Sequence, residues 1–273
     1  MAISWLRRSA IGLSALRLQA LVRGRRRTAV TVSALAVVLG LVIGWAVTAP
    51  QAAAWHDAAS APVTRSPASG ARPGPVYRIE PTTAVALLAT LPIKGRAPKT
   101  GYAREAFGLA WTDVDGNGCD TRNDVLRRDL KNVTLVTGSL CLVAAGTLDD
   151  PYTGNSIDFQ RGANSSAAVQ IDHVVALGDA WQKGAQQLSL DQRLALANDP
   201  LNLMAVDGPS NQKKSDGDAA TWLPPEHSFR CAYVARQISV KAAYGLWITT
   251  AEHDAMASIL RSCPGQSSLS SGL

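Results

Sequence analysis

The sequence predicts an α+β protein in which a mostly helical domain follows an apolar N-terminal helix. Short segments that alternate polar and apolar residues, the pattern of half-buried strands, are mixed with more numerous segments that have apolar residues at helical spacing. Both kinds of segment lie within residues 77–263, which we take as the boundaries of the domain. A charge-free run over residues 29–47 precedes it and gives the N-terminal helix.

The basic charge of the chain is concentrated at its N-terminus. The full sequence has a formal net charge of +6 from 27 basic and 21 acidic side chains, but residues 1–54 contain seven arginines and no acid. The remaining residues have 20 basic and 21 acidic side chains, so they are close to neutral. Net charge therefore does not predict a strongly basic nucleic-acid-binding face, and any such patch must be local.

Residues 29–47 are about long enough to span the hydrocarbon core of a bilayer. The arginines of segment 1–28 precede this run, which predicts that segment 1–28 is cytoplasmic and that the domain is outside. Small residues at 52–54 favour cleavage as a signal peptide, whereas the length of the run favours a membrane anchor, and both remain open. The protein is expected to be secreted or membrane-anchored, with residues 48–76 as a flexible linker rich in Ala, Pro, Ser and Gly.

The first part of the domain is predicted to contain two helices and several short strands. An apolar helix is expected over 82–91, where Thr82 or Thr83 can cap it after Pro81. The other expected elements are a helix over 123–130 and strands over 133–136, 140–144, 158–160 and 167–171.

Four cysteines, Cys119, Cys141, Cys231 and Cys263, are distributed over the domain without a CxxC pair. This spacing disfavours a zinc cluster, and an even number in an exported protein suggests two disulfides. Three pairings are possible. We favour the local pairing of Cys119 with Cys141 and of Cys231 with Cys263, because it closes short loops within each half of the domain.

Asp172 and His173 are the adjacent carboxylate and imidazole on which the functional prediction depends. Phosphodiester hydrolysis needs a base that takes a proton from water, and a neutral histidine suits this task. It also needs a hard cation held by oxygen ligands, such as magnesium or manganese. Neighbouring side chains of a strand point to opposite faces, so the two residues share a site only at a strand end or bend, which residues 174–177 allow.

Downstream of this pair, residues 201–206 are predicted to form a strand and residues 210–214 a helix that carries Asn211. The amide oxygen of Asn211 suits the same cation as a carboxylate. The resulting unit is a strand, a loop, a second strand and a helix around one metal ion. Helical segments are expected within the loop at 178–183 and 188–197 and after the unit at 229–240 and 252–260, and a disordered tail over 264–273 follows.

The DHVV motif at Asp172, the NL pair at Asn202 and the NxKK motif at Asn211 resemble the HNH endonucleases of the His-Me finger, or ββα-metal, class. A longer set of motifs resembles the secreted actinobacterial HNH family related to the C-terminal domain of GmrSD-type restriction enzymes. These motifs are GYAREAFG, CDTRNDVLRRDL, DHVVALGDAW, NDPLNLMAVDGPSNQKKSD and RCAYVARQISVKAAYGL. The resemblance covers about residues 77–263 and implies a His-Me finger core embedded in a mostly helical domain.

The resemblance also implies a role for each residue of the centre. His173 would be the general base, and Asp172 and Asn211 would be the metal ligands. Asn202 would hold the base or support the finger, and Lys214 would contact phosphate or help to stabilise the transition state.

Arg122, in the CDTR motif, and Lys213 are further candidates for phosphate binding. The planar guanidinium of Arg122 can clamp a phosphate, but it can equally pair with an acid to hold the fold.

The sequence therefore predicts an extracellular endonuclease that uses Mg²⁺ or Mn²⁺. It would act as a monomer on DNA with little sequence preference, because no base-reading module is recognised, and RNA is a second candidate substrate. The alternative is a catalytically silent domain that binds nucleic acid or a surface polymer while tethered to the membrane. A toxin role with an immunity partner also remains open.

Overall fold

The computed structural model describes residues 74–163 and 165–273. The predicted basic segment 1–28, the apolar segment 29–47 and most of the linker 48–76 lie outside the described residues. Within the described part of the chain, no helix is both long and apolar enough to cross a membrane.

The described residues form a mixed α/β domain with small antiparallel sheets. The helices are α1 (Ala84–Leu88), α2 (Thr121–Asp129), α3 (Leu177–Gln182), α4 (Leu190–Asn198), α5 (Gly208–Lys214), α6 (Arg230–Ala243) and α7 (Thr250–Leu260). The strands are β1 (Leu130–Leu135), β2 (Val143–Asp149), β3 (Ser156–Gln160), β4 (Val169–His173) and β5 (Leu203–Asp207). Three short 3₁₀ helices, Arg104–Phe107, Ala185–Gln187 and His227–Phe229, connect these elements.

Two antiparallel sheets organise the strands. The first has three strands in the order β1-β2-β3, and the second is the pair β4-β5. In this pair Asp172 is opposite Met204 and His173 is opposite Leu203, so the acid and the histidine end strand β4. Helix α5 begins directly after β5, which gives the strand, loop, strand and helix order expected from the sequence.

Polar residues define where several helices begin. Side chains of Thr83, Asp120, Ser189, Asp207 and Thr249 each accept a hydrogen bond from a backbone N–H in the first turn of α1, α2, α4, α5 and α7. Such a cap satisfies one of the backbone donors that a helix start leaves without a partner. The start of α5 is thus fixed at the end of β5, and this places the residues of α5 beside the end of β4.

Helix α6 is the central packing element of the helical part. Tyr233, Val234 and Ile238 are fully buried in one apolar cluster, and Val240 and Tyr244 belong to a second one with Phe107 and Leu177. A third cluster joins α2 to both sheets through residues such as Leu126, Phe159 and Ile171. The end of β4 lies where these clusters meet.

A buried ion network ties α3 to α6 and α7. Lys183 contacts Asp179, Asp218 and Glu252 at 2.7, 2.7 and 2.5 Å, and Lys241 contacts Asp179 and Glu252 at 3.1 and 2.7 Å. Arg96 adds a third positive charge through Asp179 and Asp218, so three cations face three carboxylates. Because the charges balance, the network can stay buried and can hold α3 rigidly beside the end of β4.

The structure pairs Cys119 with Cys141 and Cys231 with Cys263, which is the local pairing favoured from the sequence. The first disulfide fixes the loop before α2 to the segment before β2. The second links the start of α6 to the segment after α7.

The C-terminal segment 264–273, expected to be a disordered tail, instead packs on the domain. Ser267 bridges to Thr83, the backbone N–H of Leu269 donates to the Ser239 hydroxyl, and Ser271 donates to Asp199 at 2.7 Å. The polar composition of this segment suggested disorder. The Ser271 hydroxyl, however, donates to the buried Asp199, a partner that the sequence does not reveal.

Candidate functional site

His173 ends strand β4 and is almost completely buried, with 8 % of its surface exposed. Its Nε2 nitrogen lies 2.9 Å from the carbonyl oxygen of Ala197, near the end of α4. Trp111 stacks nearly parallel to the imidazole, with ring centroids 6.4 Å apart. The ring is therefore held both by a hydrogen bond and by an aromatic face.

The contact with Ala197 determines which nitrogen of His173 has the proton. A carbonyl oxygen only accepts, so Nε2 must be the donor, and in the neutral ring Nδ1 then has the free lone pair. No described residue donates a hydrogen bond to Nδ1. His173 is thus held in the tautomer that a general base needs.

The surroundings of His173 keep the imidazole neutral. Burial, and after it the charge of Arg104, lower the pKa of His173 from its ordinary 6.5 to about 3, although the hydrogen bond to the Ala197 carbonyl opposes them. At neutral pH the ring is therefore unprotonated and able to accept a proton.

Asp172, the residue before His173, points to the opposite side of β4 and is buried. Its Oδ1 accepts a hydrogen bond from Lys214 Nζ at 2.9 Å, and its Oδ2 accepts one from the Tyr152 hydroxyl at 2.5 Å. Burial raises the pKa of the Asp172 carboxyl, although Lys214 and Tyr152 oppose this effect. Both carboxylate oxygens are engaged by protein donors.

Lys214, expected to contact phosphate, is buried instead. Its ammonium donates to Asp172 and, at 2.8 Å, to the backbone carbonyl of His173. Both partners lie at the end of β4, so Lys214 fixes the backbone at His173. A side chain with 2 % exposure has no route to a bound phosphate in this arrangement.

Asn211 lies one turn earlier on α5 and is partly exposed. Its side-chain amide donates to the Gln170 side chain at 2.9 Å, and its oxygen accepts no hydrogen bond from the described residues. Asn211, Asp172 and His173 line one polar cavity of about 240 Å³, together with Arg104 and Asp216. The three residues predicted to form the centre thus share one cavity.

The donors of this cavity do not fit a divalent cation as they are arranged. Both oxygens of Asp172 already accept a hydrogen bond, and the Lys214 ammonium neutralises the carboxylate in place of a metal ion. Asp216 is paired with Lys99 at 2.5 Å. Among the described residues there is also no cluster of three or more His, Cys, Asp or Glu side chains that could hold a metal.

Asn202 supports the turn after His173 through backbone groups and does not bind the histidine ring. Its side-chain oxygen accepts from the Val175 N–H at 2.8 Å, and its amide donates to the carbonyl of Leu196 at 3.1 Å. These bonds join the turn after His173 to the helix end that provides Ala197. Asn202 therefore aligns the histidine with its hydrogen-bond acceptor.

Arg104 is a residue that the functional prediction missed. It is exposed, lines the polar cavity and also lines a smaller adjoining cavity with His173 and Trp111. Within the described chain it has no ion pair and no side-chain hydrogen bond. The only sequence signal was its place in the GYAREAFG motif, because nothing in that motif indicates that it folds over residue 173.

Arg122 forms no ion pair with an acid among the described residues. Its guanidinium lies over the Trp111 ring at 5.9 Å, on a tryptophan whose backbone has a φ of 60°. This left-handed conformation is strained for a bulky residue and persists only where its surroundings impose it. Lys213, the other candidate, is exposed on α5 beside Asn211.

Comparison with known proteins gives a match of residues 120–259 to the C-terminal domain of GmrSD restriction endonucleases. The chain is also 39 % identical over 184 residues to an "Uncharacterized secreted protein" of Arthroderma benhamiae, which covers 67 % of this chain and 85 % of that protein. No solved structure matches the chain.

Proposed function

We propose, from the premise that this chain belongs to the family of the GmrSD restriction endonuclease C-terminal domain, that it is a nuclease that hydrolyses phosphodiester bonds at His173. The observation that carries the proposal is the geometry of this ring. Its Nε2 donates to the Ala197 carbonyl, and no described residue donates to its Nδ1. Arg104, which has no ion pair among the described residues, lines the same cavity.

His173 acts as the general base. A water molecule in the cavity gives a proton to Nδ1 while its oxygen bonds to phosphorus. The bond from phosphorus to the leaving oxygen breaks, and the released alkoxide takes a proton from solvent. The Ala197 carbonyl stabilises the imidazolium that forms, because it already accepts the Nε2 proton. A base of low pKa is a weak base, so its basicity must rise when the substrate binds.

Arg104 connects substrate binding to that basicity. Its positive charge lowers the pKa of His173, after the larger effect of burial. A phosphate bound to the Arg104 guanidinium neutralises part of this charge, which makes His173 a stronger base when the substrate is present. The same guanidinium faces the negative charge that grows on the phosphate oxygens.

The proposed reaction does not use the magnesium or manganese ion that was expected at Asp172 and Asn211. Both oxygens of Asp172 are engaged, and the ion would have to displace the Lys214 ammonium. In the present arrangement Lys214 provides the positive charge beside Asp172.

The substrate is a nucleic acid, with DNA preferred over RNA as the first candidate. Lys213, which is exposed on α5, and the half-buried Arg122, which lies over Trp111, serve as additional phosphate contacts. The described residues contain no recognisable element that reads base edges, which supports cleavage with little sequence preference.

The protein acts outside the cytoplasm. Two disulfides support folding in an oxidising compartment, and a relative with similar sequence is described as secreted. The choice between a cleaved signal peptide and a retained anchor depends on residues 29–47, outside the described part.

The test is a plasmid-nicking assay with the purified protein and its His173→Gln variant. Glutamine keeps a donor for the Ala197 carbonyl but cannot take a proton, so cleavage should fall by at least ~100-fold. His253→Gln, at a partly exposed position of α7, is the matched control and should cleave like the wild type. The catalytically silent alternative would be favoured if the wild type binds DNA but does not nick it in any of the metal ions tested.

A further inference from the structure

Arg122 and Arg161 lie near each other, because Arg161 donates to the side chain of Asn123, the residue that follows Arg122. Arg122, on the first turn of α2, has its pKa lowered by burial and then by the charge of Arg161. Arg161 follows β3, and within the described chain neither guanidinium forms an ion pair. Two like charges at close range destabilise the fold unless an anion lies between them.

The acid nearest to this pair is already committed. Asp120 uses both oxygens to cap α2, accepting from the backbone N–H of Asn123 at 2.9 Å and from its side-chain amide at 2.6 Å. Arg161 is held by neutral acceptors, the Val143 carbonyl and the Asn123 side-chain oxygen. One Arg161 nitrogen and the whole Arg122 guanidinium have no acceptor in the described chain.

A stack of side chains links this pair to the base. The Arg122 guanidinium is 5.9 Å from the Trp111 ring centroid, and the Trp111 ring is stacked on His173 at 6.4 Å between centroids. The backbone strain at Trp111 indicates that this layered arrangement is imposed by its surroundings. Arg122 therefore lies one aromatic layer away from His173.

Building on the proposed function, we propose that Arg122 and Arg161 form a second phosphate subsite, which binds a backbone phosphate next to the one that is cut. The ligand is the phosphodiester backbone of a nucleic acid strand that is several nucleotides long. The scissile phosphate lies at His173 and Arg104, the strand passes Trp111, and the adjoining phosphate enters between the two guanidinium groups.

This subsite has two measurable consequences. Each phosphate that a protein neutralises releases counterions, so it adds about 0.9 to the slope of log affinity against log salt concentration for duplex DNA and about 0.7 for a single strand. A second phosphate contact also favours long substrates, because a dinucleoside monophosphate has only the scissile phosphate. Loss of the subsite should therefore reduce the preference for long strands.

The experiment compares Arg122→Met, Arg161→Met and the control Arg127→Met with the wild type. Arg127 is on the same helix as Arg122 but on its exposed outer face, where it contacts the Leu140 carbonyl. For each protein, kcat/KM is measured for an oligonucleotide of about a dozen nucleotides, a typical length for a strand-binding site, and for a dinucleoside monophosphate. Oligonucleotide affinity is measured by fluorescence anisotropy over a range of salt concentrations.

We expect the ratio of kcat/KM for the oligonucleotide to kcat/KM for the dinucleoside monophosphate to fall about tenfold in Arg122→Met and in Arg161→Met. The slope of log affinity against log salt concentration should fall by the amount that corresponds to about one phosphate contact. Arg122 donates no hydrogen bond within the described chain, so its variant should fold even if Arg161→Met does not. An unchanged ratio and slope in Arg122→Met, or an equal fall in Arg127→Met, would overturn the proposal.

The affinity measurement separates this proposal from the nuclease proposal. If the wild type cleaves no substrate but binds the oligonucleotide with a salt slope that depends on Arg122, the subsite stands and the nuclease proposal fails. If the wild type cleaves and neither arginine changes the ratio or the slope, the subsite alone is rejected.

Discussion

The ammonium of Lys214 lies 2.9 Å from a carboxylate oxygen of Asp172, and both side chains are almost completely buried. The two residues are 42 positions apart in the sequence and meet because α5 folds back on β4. This pair shapes the site in two ways. Lys214 neutralises Asp172, the residue before His173, and it also holds the backbone carbonyl of His173.

Removal of Lys214 should strongly destabilise the domain. Lys214→Met leaves the buried Asp172 carboxylate with only the Tyr152 hydroxyl, and loss of one partner of a buried ion pair costs about 3–5 kcal/mol. Lys213→Met, one residue earlier but exposed, should change the free energy of unfolding by less than about 0.5 kcal/mol. Urea unfolding followed by circular dichroism measures both, and equal effects would show that the buried pair contributes nothing special.

Magnesium should not stabilise the wild-type protein. A ligand that binds only the folded state raises the thermal midpoint in a saturable way, but a cation at Asp172 would have to displace the Lys214 ammonium. We expect the same midpoint in EDTA and in millimolar MgCl₂. A saturable rise would show that Lys214 moves away from Asp172 and that the metal site predicted from the sequence exists.

The stability of the fold should depend on pH through His173. Its pKa is about 3 when folded and about 6.5 when unfolded, so between these values the unfolded chain binds more protons. Stability is therefore complete above pH 6.5 and is lost as the pH falls, by about 2 kcal/mol between pH 7 and pH 5. His173→Gln lacks this contribution, and urea unfolding at the two pH values should show a smaller loss than in the wild type.

The opposite contribution of other groups makes that comparison necessary. Burial raises the pKa of Asp172 and of Asp199, and these groups favour the folded state as the pH falls. Because both are present in the wild type and in His173→Gln, the difference between the two proteins isolates the histidine. A loss of equal size in both would contradict a buried neutral imidazole.

Arg104 should set the pH at which cleavage is lost. In the wild type the acid limb of kcat/KM should lie below pH 6.5, because the pKa of His173 is depressed. Arg104→Met removes one of the charges that lower this pKa, so the limb should move to higher pH while kcat/KM falls. Arg104→Lys keeps the charge and should keep the limb, and identical limbs in all three proteins would show that Arg104 does not act on His173.

Many elements of the fold could be predicted from local sequence, because their causes are local. The apolar spacing over residues 229–240 and 252–260 locates α6 and α7 within a few residues of their observed ends. The same holds for the strand, strand and helix order around Asp172 and Asn211. The packing of residues 264–273 could not be predicted from local sequence. It depends on partners such as Asp199, the acceptor for the Ser271 hydroxyl, which only the folded domain presents.

By itself the sequence determined the type and order of the elements, the adjacency of Asp172 and His173, and the residue types of the site. Only the tertiary structure decided that Lys214 neutralises Asp172, that Ala197 fixes the imidazole tautomer and that Arg104 joins the cavity. Periodicity and capping act over a few residues along the chain. Ion pairs, burial and their effects on pKa depend instead on which distant segments the packing brings together.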